Sequence, residues 1–128
     1  MSVQIERLKQ YPKYYSIRNL EKLSSRMNKE LGWMAPIIIN EELSKLQQAV
    51  SKWIRYNTSC IKPDDFSRER NYLNLIEEIA DVTIALNMVK HMANISTEEI
   101  NQMISYKIDR NKQKLDSKSI TNNSQVYG

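Results

Sequence analysis

A chain of 128 residues, with 41% hydrophobic and 27% charged residues, has the ordinary composition of one globular domain with its own core. Its formal charge of +4 favours anionic ligands such as phosphate. A single cysteine excludes an intrachain disulfide and fits a reducing cytoplasm. The chain starts without an apolar signal segment and has no run near the roughly 20 apolar residues that span a bilayer, so we expect no membrane association.

Two glycines and three prolines leave little turn chemistry for a sheet, so the sequence predicts an all-α fold. We predict four helices, at about residues 16–31, 36–56, 68–92 and 96–115. The second helix has a stripe of apolar residues at helical spacing, namely Ile39, Leu43, Leu46, Val50 and Trp53. The third has a similar stripe, namely Leu75, Ile79, Val82, Leu86 and Val89. The expected architecture is a compact bundle-like unit of four helices.

The fourth predicted helix begins with a capping box, in which Ser96 is the N-cap and Glu99 follows three residues later. We expect it to bury four apolar residues, namely Ile100, Met103, Ile104 and Ile108. Residues 1–115 then form one all-α domain, and residues 116–128 form a polar tail that we expect to be disordered.

Carboxylates interrupt the apolar pattern of the third helix. On a helical wheel Glu78 falls about 60° from the centre of the stripe and Asp81 about 120° away on the same side, whereas Glu77 faces away. Glu78 and Asp81 are therefore neighbours at the edge of the core, where like charges repel unless a cation or proton intervenes. Magnesium suits the pair because it prefers oxygen ligands. The alternative is an exposed acidic edge that pairs with Lys or Arg.

The second helix offers a third carboxylate. Glu42 lies about 60° from the centre of its stripe, while Glu41 points away. If the second and third helices pack antiparallel, Glu42 meets the pair on the third helix, and three convergent carboxylates form a credible metal site. Lys52 follows on the same flank, roughly three turns further along, where it can meet a phosphate.

These segments resemble a known family. EELSKLQQAVSKW (Glu41–Trp53), followed by NLIEEIADV (Asn74–Val82), is similar to the MazG-like, all-α nucleoside triphosphate pyrophosphohydrolases. That family has EExxE on one helix and ExxD on the next long helix, and its small single-domain type from bacteriophages and bacteria is the most similar. The resemblance covers about residues 31–115, including LGW before the second helix and SYKIDRNKQKL in the fourth.

The resemblance implies an activity and a set of site residues. Glu42, Glu78 and Asp81 would be catalytic ligands of Mg²⁺, and a nucleoside triphosphate would be hydrolysed to a nucleoside monophosphate and pyrophosphate. Other candidate substrate-binding residues are Lys45, Lys52, Lys107, Arg110, Asn111 and Trp33. The family generally assembles as dimers or tetramers, so a homodimer or homotetramer is expected. The implied location is the cytoplasm of a bacterium or of a phage-infected host cell.

Lys45 departs from the family pattern, because it stands where EExxE has its third glutamate. In one interpretation three acids still hold Mg²⁺, and Lys45 contacts phosphate or extends to solvent. In the other, Lys45 pairs with Glu78 and Asp81 in place of the metal. The protein would then be a weak or inactive relative that binds a nucleotide or a protein. Nucleic-acid binding is disfavoured, since basic and acidic residues are interspersed and no recognition motif is present.

Overall fold

The computed structural model describes the backbone of residues 3–58 and 64–124. Within those ranges all regular structure is helical, which confirms the predicted all-α fold. The elements are α1 (Val3–Gln10), α2 (Ile17–Leu31), a 3-10 turn (Gly32–Met34), α3 (Ala35–Thr58), α4 (Asp65–Met92) and α5 (Thr97–Ser124). None of these helices combines the length and the apolar character needed to cross a membrane. The chain divides into two units, Met1–Ala93 and Asn94–Gly128.

The four predicted helices correspond to α2, α3, α4 and α5. The short α1 was not predicted, because eight residues show too little periodicity to be recognised as a helix. The helix α5 extends beyond Leu115, where we expected a disordered tail, and continues to Ser124. Residues 116–124 contain no glycine or proline, so nothing in the backbone stops the helix. Residues 59–63 of the predicted loop and residues 125–128 of the predicted tail lie outside the described residues.

Local signals define both ends of α2. At its start the Ser16 side chain accepts a hydrogen bond from the Asn19 backbone N–H at 3.0 Å. At its end Gly32 adopts a φ of +56°, and its N–H donates to the Asn28 carbonyl. A residue with a side chain is strained in this left-handed conformation, so glycine allows the abrupt turn from α2 toward α3.

The helices α3 and α4 pack antiparallel. Near the start of α3 and the end of α4, four buried residues form the core, namely Ala35, Ile39, Ala85 and Met88. Near the opposite ends, the Trp53 and Tyr72 rings lie 6.1 Å apart between centroids. The helix α2 packs on α4 too, since the Asn28 side chain donates to the Met88 carbonyl at 3.0 Å. The start of α3 thus lies beside the end of α4, and the end of α3 lies beside the start of α4.

The packed face of α4 differs from the predicted stripe. Ile79 and Leu86 were expected in the core, but they are 51% and 55% exposed. Val82 of the predicted stripe is buried, as expected, and the other buried positions of α4 are Asn71, Ala85 and Met88. Apolar side chains cover a wide arc of α4, and small residues such as alanine let another helix approach more closely than leucine does. The core therefore forms on a neighbouring part of the arc, around Ala85 and Met88.

The second unit contains α5. Its capping box is confirmed, because the Ser96 Oγ accepts from the Glu99 N–H at 3.0 Å and the Glu99 carboxylate accepts from the Ser96 N–H at 3.1 Å. The predicted burial of its apolar residues is wrong: Met103, Ile104 and Ile108 are exposed, and Ile100 is partly exposed. In the described part of residues 94–128, α5 is the one helix, so no second helix of that unit covers its apolar side chains.

Candidate metal centre

The centre of the α3–α4 pair brings three predicted carboxylates together. Glu42 lies in the first half of α3, and Glu78 and Asp81 lie one turn apart on α4. Each offers one carboxylate oxygen, and the three oxygens lie within 4.8 Å of one another. The predicted convergence of Glu42 with the Glu78–Asp81 pair is therefore confirmed. It results from antiparallel packing, which places the middle of α3 opposite the middle of α4.

Two of these carboxylates have an oxygen without a partner. Oε2 of Glu42 and Oε2 of Glu78 are both inaccessible to solvent and accept no hydrogen bond. A buried carboxylate oxygen without a donor is costly, because it has lost water without regaining an equivalent interaction. Within the residues that the structure describes, no hydrogen-bond donor therefore reaches either of these two oxygens.

The electrostatics of Glu78 reflect the same deficit. Burial raises the pKa of Glu78 above its ordinary value, and the nearby carboxylates of Asp81 and Glu42 raise it further. The Lys45 ammonium opposes this change, yet the pKa of Glu78 remains raised. Negative charge in the cluster is therefore only partly neutralised by the protein itself.

Lys45 lies at the outer side of the cluster. Its Nζ is 3.5 Å from Oε1 of Glu42, the carboxylate oxygen opposite the unpaired one. The charge of Glu42, followed by the hydrogen bond with it, raises the pKa of Lys45. The ion pair of Lys45 is thus with Glu42, the acid on its own helix, and not with Glu78 or Asp81 as one interpretation of the sequence required.

A small cavity of about 110 Å³ adjoins the carboxylates. Glu42 and Asp81 form its polar edge. Its other walls are apolar side chains from α2, α3 and α4, namely Met27, Ile38, Ile84, Ala85 and Met88. The acids therefore border a mostly apolar recess, in which a bound cation would be less screened by water than on an open surface.

The donor set fits a hard divalent cation. Carboxylate oxygens are the ligands that Mg²⁺, Mn²⁺ and Ca²⁺ prefer, whereas softer ions favour histidine and cysteine. Each of the three acids offers one carboxylate oxygen to the group, and Glu42 and Glu78 each have a buried oxygen that accepts no hydrogen bond. Glu42, Glu78 and Asp81 can thus hold a metal ion.

The structure places the remaining predicted site residues on several elements. Lys52 is exposed on α3, ten residues after Glu42, which is about 15 Å along the helix. Trp33 is exposed in the 3-10 turn. The other three candidates, Lys107, Arg110 and Asn111, are exposed on α5, in the second unit. Among the predicted substrate-binding residues, Lys45 is the one with an ion pair to the carboxylate cluster.

Residues of α2 near the centre were not predicted from the sequence. Met27 lines the cavity beside the acids, and Asn28 ties α2 to the Met88 carbonyl. Asn28 also has a buried Oδ1 without a hydrogen bond. An asparagine on an amphipathic helix is normally solvated, so the sequence carried no signal for this contact.

Comparisons with known proteins show no relative. The chain matches no protein-family model, no curated protein and no solved structure. The chemistry of the carboxylate cluster is therefore the main evidence on function.

Proposed function

We propose that this protein is a Mg²⁺-dependent nucleoside triphosphate pyrophosphohydrolase. The observation that carries the proposal is the convergence of Glu42, Glu78 and Asp81, with two buried carboxylate oxygens that have no partner. A triphosphate normally binds together with a divalent cation, so an acidic centre in a basic protein suits this substrate class. The resemblance of the two motif segments to MazG-like enzymes supports the same substrate.

The three carboxylates would hold Mg²⁺. When bound, the ion would neutralise phosphate oxygens and lower the pKa of a water molecule. In the hydrolysis, the water oxygen forms a new bond to phosphorus while the bond between phosphorus and the α–β bridging oxygen breaks. A carboxylate of the cluster accepts the proton that the water loses, and the bridging oxygen leaves with one of the two products, the nucleoside monophosphate and pyrophosphate.

Phosphate and base would bind around the centre. Lys45 stands beside Glu42 with its ammonium at the outer side, and Lys52 lies further along the same helix. Both can pair with phosphate oxygens. Trp33 offers an exposed ring for stacking on a base. On α5, the candidate substrate-binding residues are Lys107, Arg110 and Asn111, which are proposed because of the family resemblance alone.

The proposal includes a homodimer or homotetramer in the cytoplasm of a bacterium or of a phage-infected host cell. Assembly is supported by exposed apolar side chains on both central helices, namely Leu43, Val50 and Ile54 on α3 and Ile79 and Leu86 on α4. Helical wheels of an antiparallel pair place them on one side of the pair. A contiguous apolar surface is commonly buried between subunits.

A weakly active or inactive relative that binds nucleotide is the second candidate. The observation that favours it is the ion pair of Lys45 with Glu42, because an ammonium beside the cluster lowers its affinity for a cation. Metal-dependent turnover distinguishes the two candidates.

The deciding experiment measures pyrophosphate release from a panel of NTPs and dNTPs, with Mg²⁺ and with EDTA. We expect release that requires Mg²⁺ and that falls at least about 100-fold in Asp81→Asn, since one metal ligand is lost. Glu77→Gln, an exposed neighbour on α4, is the matched control and should keep full activity. Absence of release from every nucleotide, with well-folded protein, would overturn the proposal and favour the binding role.

A further inference from the structure

The two carboxylate oxygens of Glu42 have different environments, because Lys45 lies beside only one of them. Oε1 is 3.5 Å from the Lys45 Nζ, and the lysine side chain is 54% exposed whereas that of Glu42 is 18% exposed. Oε2 is buried and accepts no hydrogen bond. The ammonium therefore occupies the outer side of the carboxylate and leaves the buried oxygen available to a ligand.

The described acids of the first unit suffice for one divalent cation. Glu42, Glu78 and Asp81 form the cluster, while the next acids along the two helices, Glu41 and Glu77, are exposed. Paired metal ions in phosphate-cleaving sites lie about 3.5–4 Å apart, and each requires its own oxygen ligands. Two divalent ions beside Lys45 would carry more positive charge than three carboxylates balance. One divalent ion and one ammonium balance them.

We infer that this centre takes a single divalent cation and that the Lys45 ammonium serves as its second cation, binding a phosphate group of the substrate. The inference rests on the proposed function for the substrate, whereas the number of ions depends on the carboxylate cluster alone. Lysine suits the role because its ammonium has three donors on a flexible stem and can exchange the outer oxygen of Glu42 for a phosphate oxygen.

The number of bound ions is measured by titrating the full chain with Mn²⁺. Calorimetry records the heat of binding, and electron paramagnetic resonance records the Mn²⁺ that stays free. We expect one ion per chain in the wild type and two in Lys45→Glu, which turns the ammonium into a fourth carboxylate. Arg55→Glu makes the same change of charge at an exposed position of α3 and should still bind one. Two ions in the wild type, or one in both the wild type and Lys45→Glu, would overturn the inference.

The phosphate contact is measured by titrating the Mn²⁺-loaded protein with inorganic pyrophosphate. Lys45→Met keeps a similar stem without the charge and should bind pyrophosphate about tenfold more weakly. Equal affinity would overturn the role of Lys45, and this variant serves also if Lys45→Glu fails to fold. One ion per chain without pyrophosphate release from any nucleotide would overturn the proposed function but not the single-ion centre. Two ions per chain in a wild type that releases pyrophosphate would overturn the single-ion centre but not the proposed function.

Discussion

Glu42 and Glu78 meet between α3 and α4, and each has an Oε2 atom that is buried and accepts no hydrogen bond. This arrangement weakens the fold unless a cation is present, because like charges repel and their burial removes the water that would otherwise solvate them. The same uncompensated charges that destabilise the metal-free protein favour the binding of a cation. Both effects can be measured.

Replacing Glu78 should stabilise the metal-free protein. Burial and the neighbouring acids raise the pKa of Glu78 in the folded state, so its ionised form destabilises the fold above that raised pKa. The penalty is relieved as the pH falls through the raised pKa toward the ordinary one, since the folded protein takes up the proton first. In EDTA at pH 7, Glu78→Gln should therefore have a higher free energy of unfolding than the wild type.

Urea denaturation between pH 4.5 and pH 8 checks this expectation. The advantage of Glu78→Gln should shrink toward the acid end of the range, because the folded wild type takes up a proton at Glu78 more readily than the unfolded chain does. Glu77→Gln, at the exposed neighbouring position of α4, is the matched control and should change the free energy of unfolding at pH 7 less than Glu78→Gln does. An advantage of Glu78→Gln that grows as the pH falls would contradict the assigned direction of the pKa change.

Metal binding should stabilise the wild type more than a variant that lacks one of the three carboxylates. An ion that binds only the folded state adds about 2.7 kcal/mol at 100 times its dissociation constant, which raises the Tm of a small protein by roughly 10 °C. We expect Mg²⁺ to raise the Tm of the wild type in this way and to leave that of Asp81→Asn nearly unchanged. Thermal unfolding with Mg²⁺ and with EDTA measures the difference, and an equal rise in both proteins would exclude Asp81 as a ligand.

Helical spacing was sufficient to find the three acids but not to place them correctly. Glu78 was predicted at the edge of the core, yet the buried residues of α4 (Asn71, Val82 and Ala85) surround its position on the wheel. The predicted stripe was centred on Ile79, Val82 and Leu86, whereas the buried face of α4 is displaced toward Ala85 and Met88. Periodicity locates a broad apolar arc, and the closeness of packing decides which part of that arc is buried.

The contribution of α2 could not be predicted for a different reason. Met27 and Asn28 approach α4 through tertiary packing between segments that are about 60 residues apart in the chain. The spacing of residues within one helix cannot predict a contact between segments so far apart in the chain. By contrast, the capping box at Ser96 was predicted correctly because all its hydrogen bonds lie within four consecutive residues.

Met88 should be the most sensitive core position of α4. Its side chain is almost fully buried in the cluster with Ala35 and Ile39, so Met88→Ala removes apolar contacts and leaves a cavity. We expect a loss of roughly 2–5 kcal/mol in the free energy of unfolding. Met92→Ala, one turn later on the same helix and substantially exposed, should cost less than about 1 kcal/mol. Chemical denaturation with the two variants side by side measures both values, and equal costs would show that the core lies elsewhere.

The capping box at Ser96 should control the first turn of α5. Hydrogen bonds from the Ser96 backbone and hydroxyl lower the pKa of Glu99, so the ionised carboxylate stabilises the turn above its ordinary pKa and this support is lost as the pH falls through the lowered value. Ser96→Ala removes the hydroxyl and should destabilise the helix start by about 1 kcal/mol. Amide hydrogen exchange should then accelerate at residues 97–100 at neutral pH.

Ser105→Ala, at an exposed position inside the same helix, is the matched control for Ser96→Ala. It removes no cap and replaces serine with a better helix former, so exchange at residues 97–100 should stay the same or become slower. The acceleration in Ser96→Ala should diminish at acid pH, where the wild type also loses the ionised Glu99 that completes the box. An acceleration of equal size in both variants would mean that the helix start depends on serine content in general, and that the hydrogen bonds between Ser96 and Glu99 contribute nothing to it.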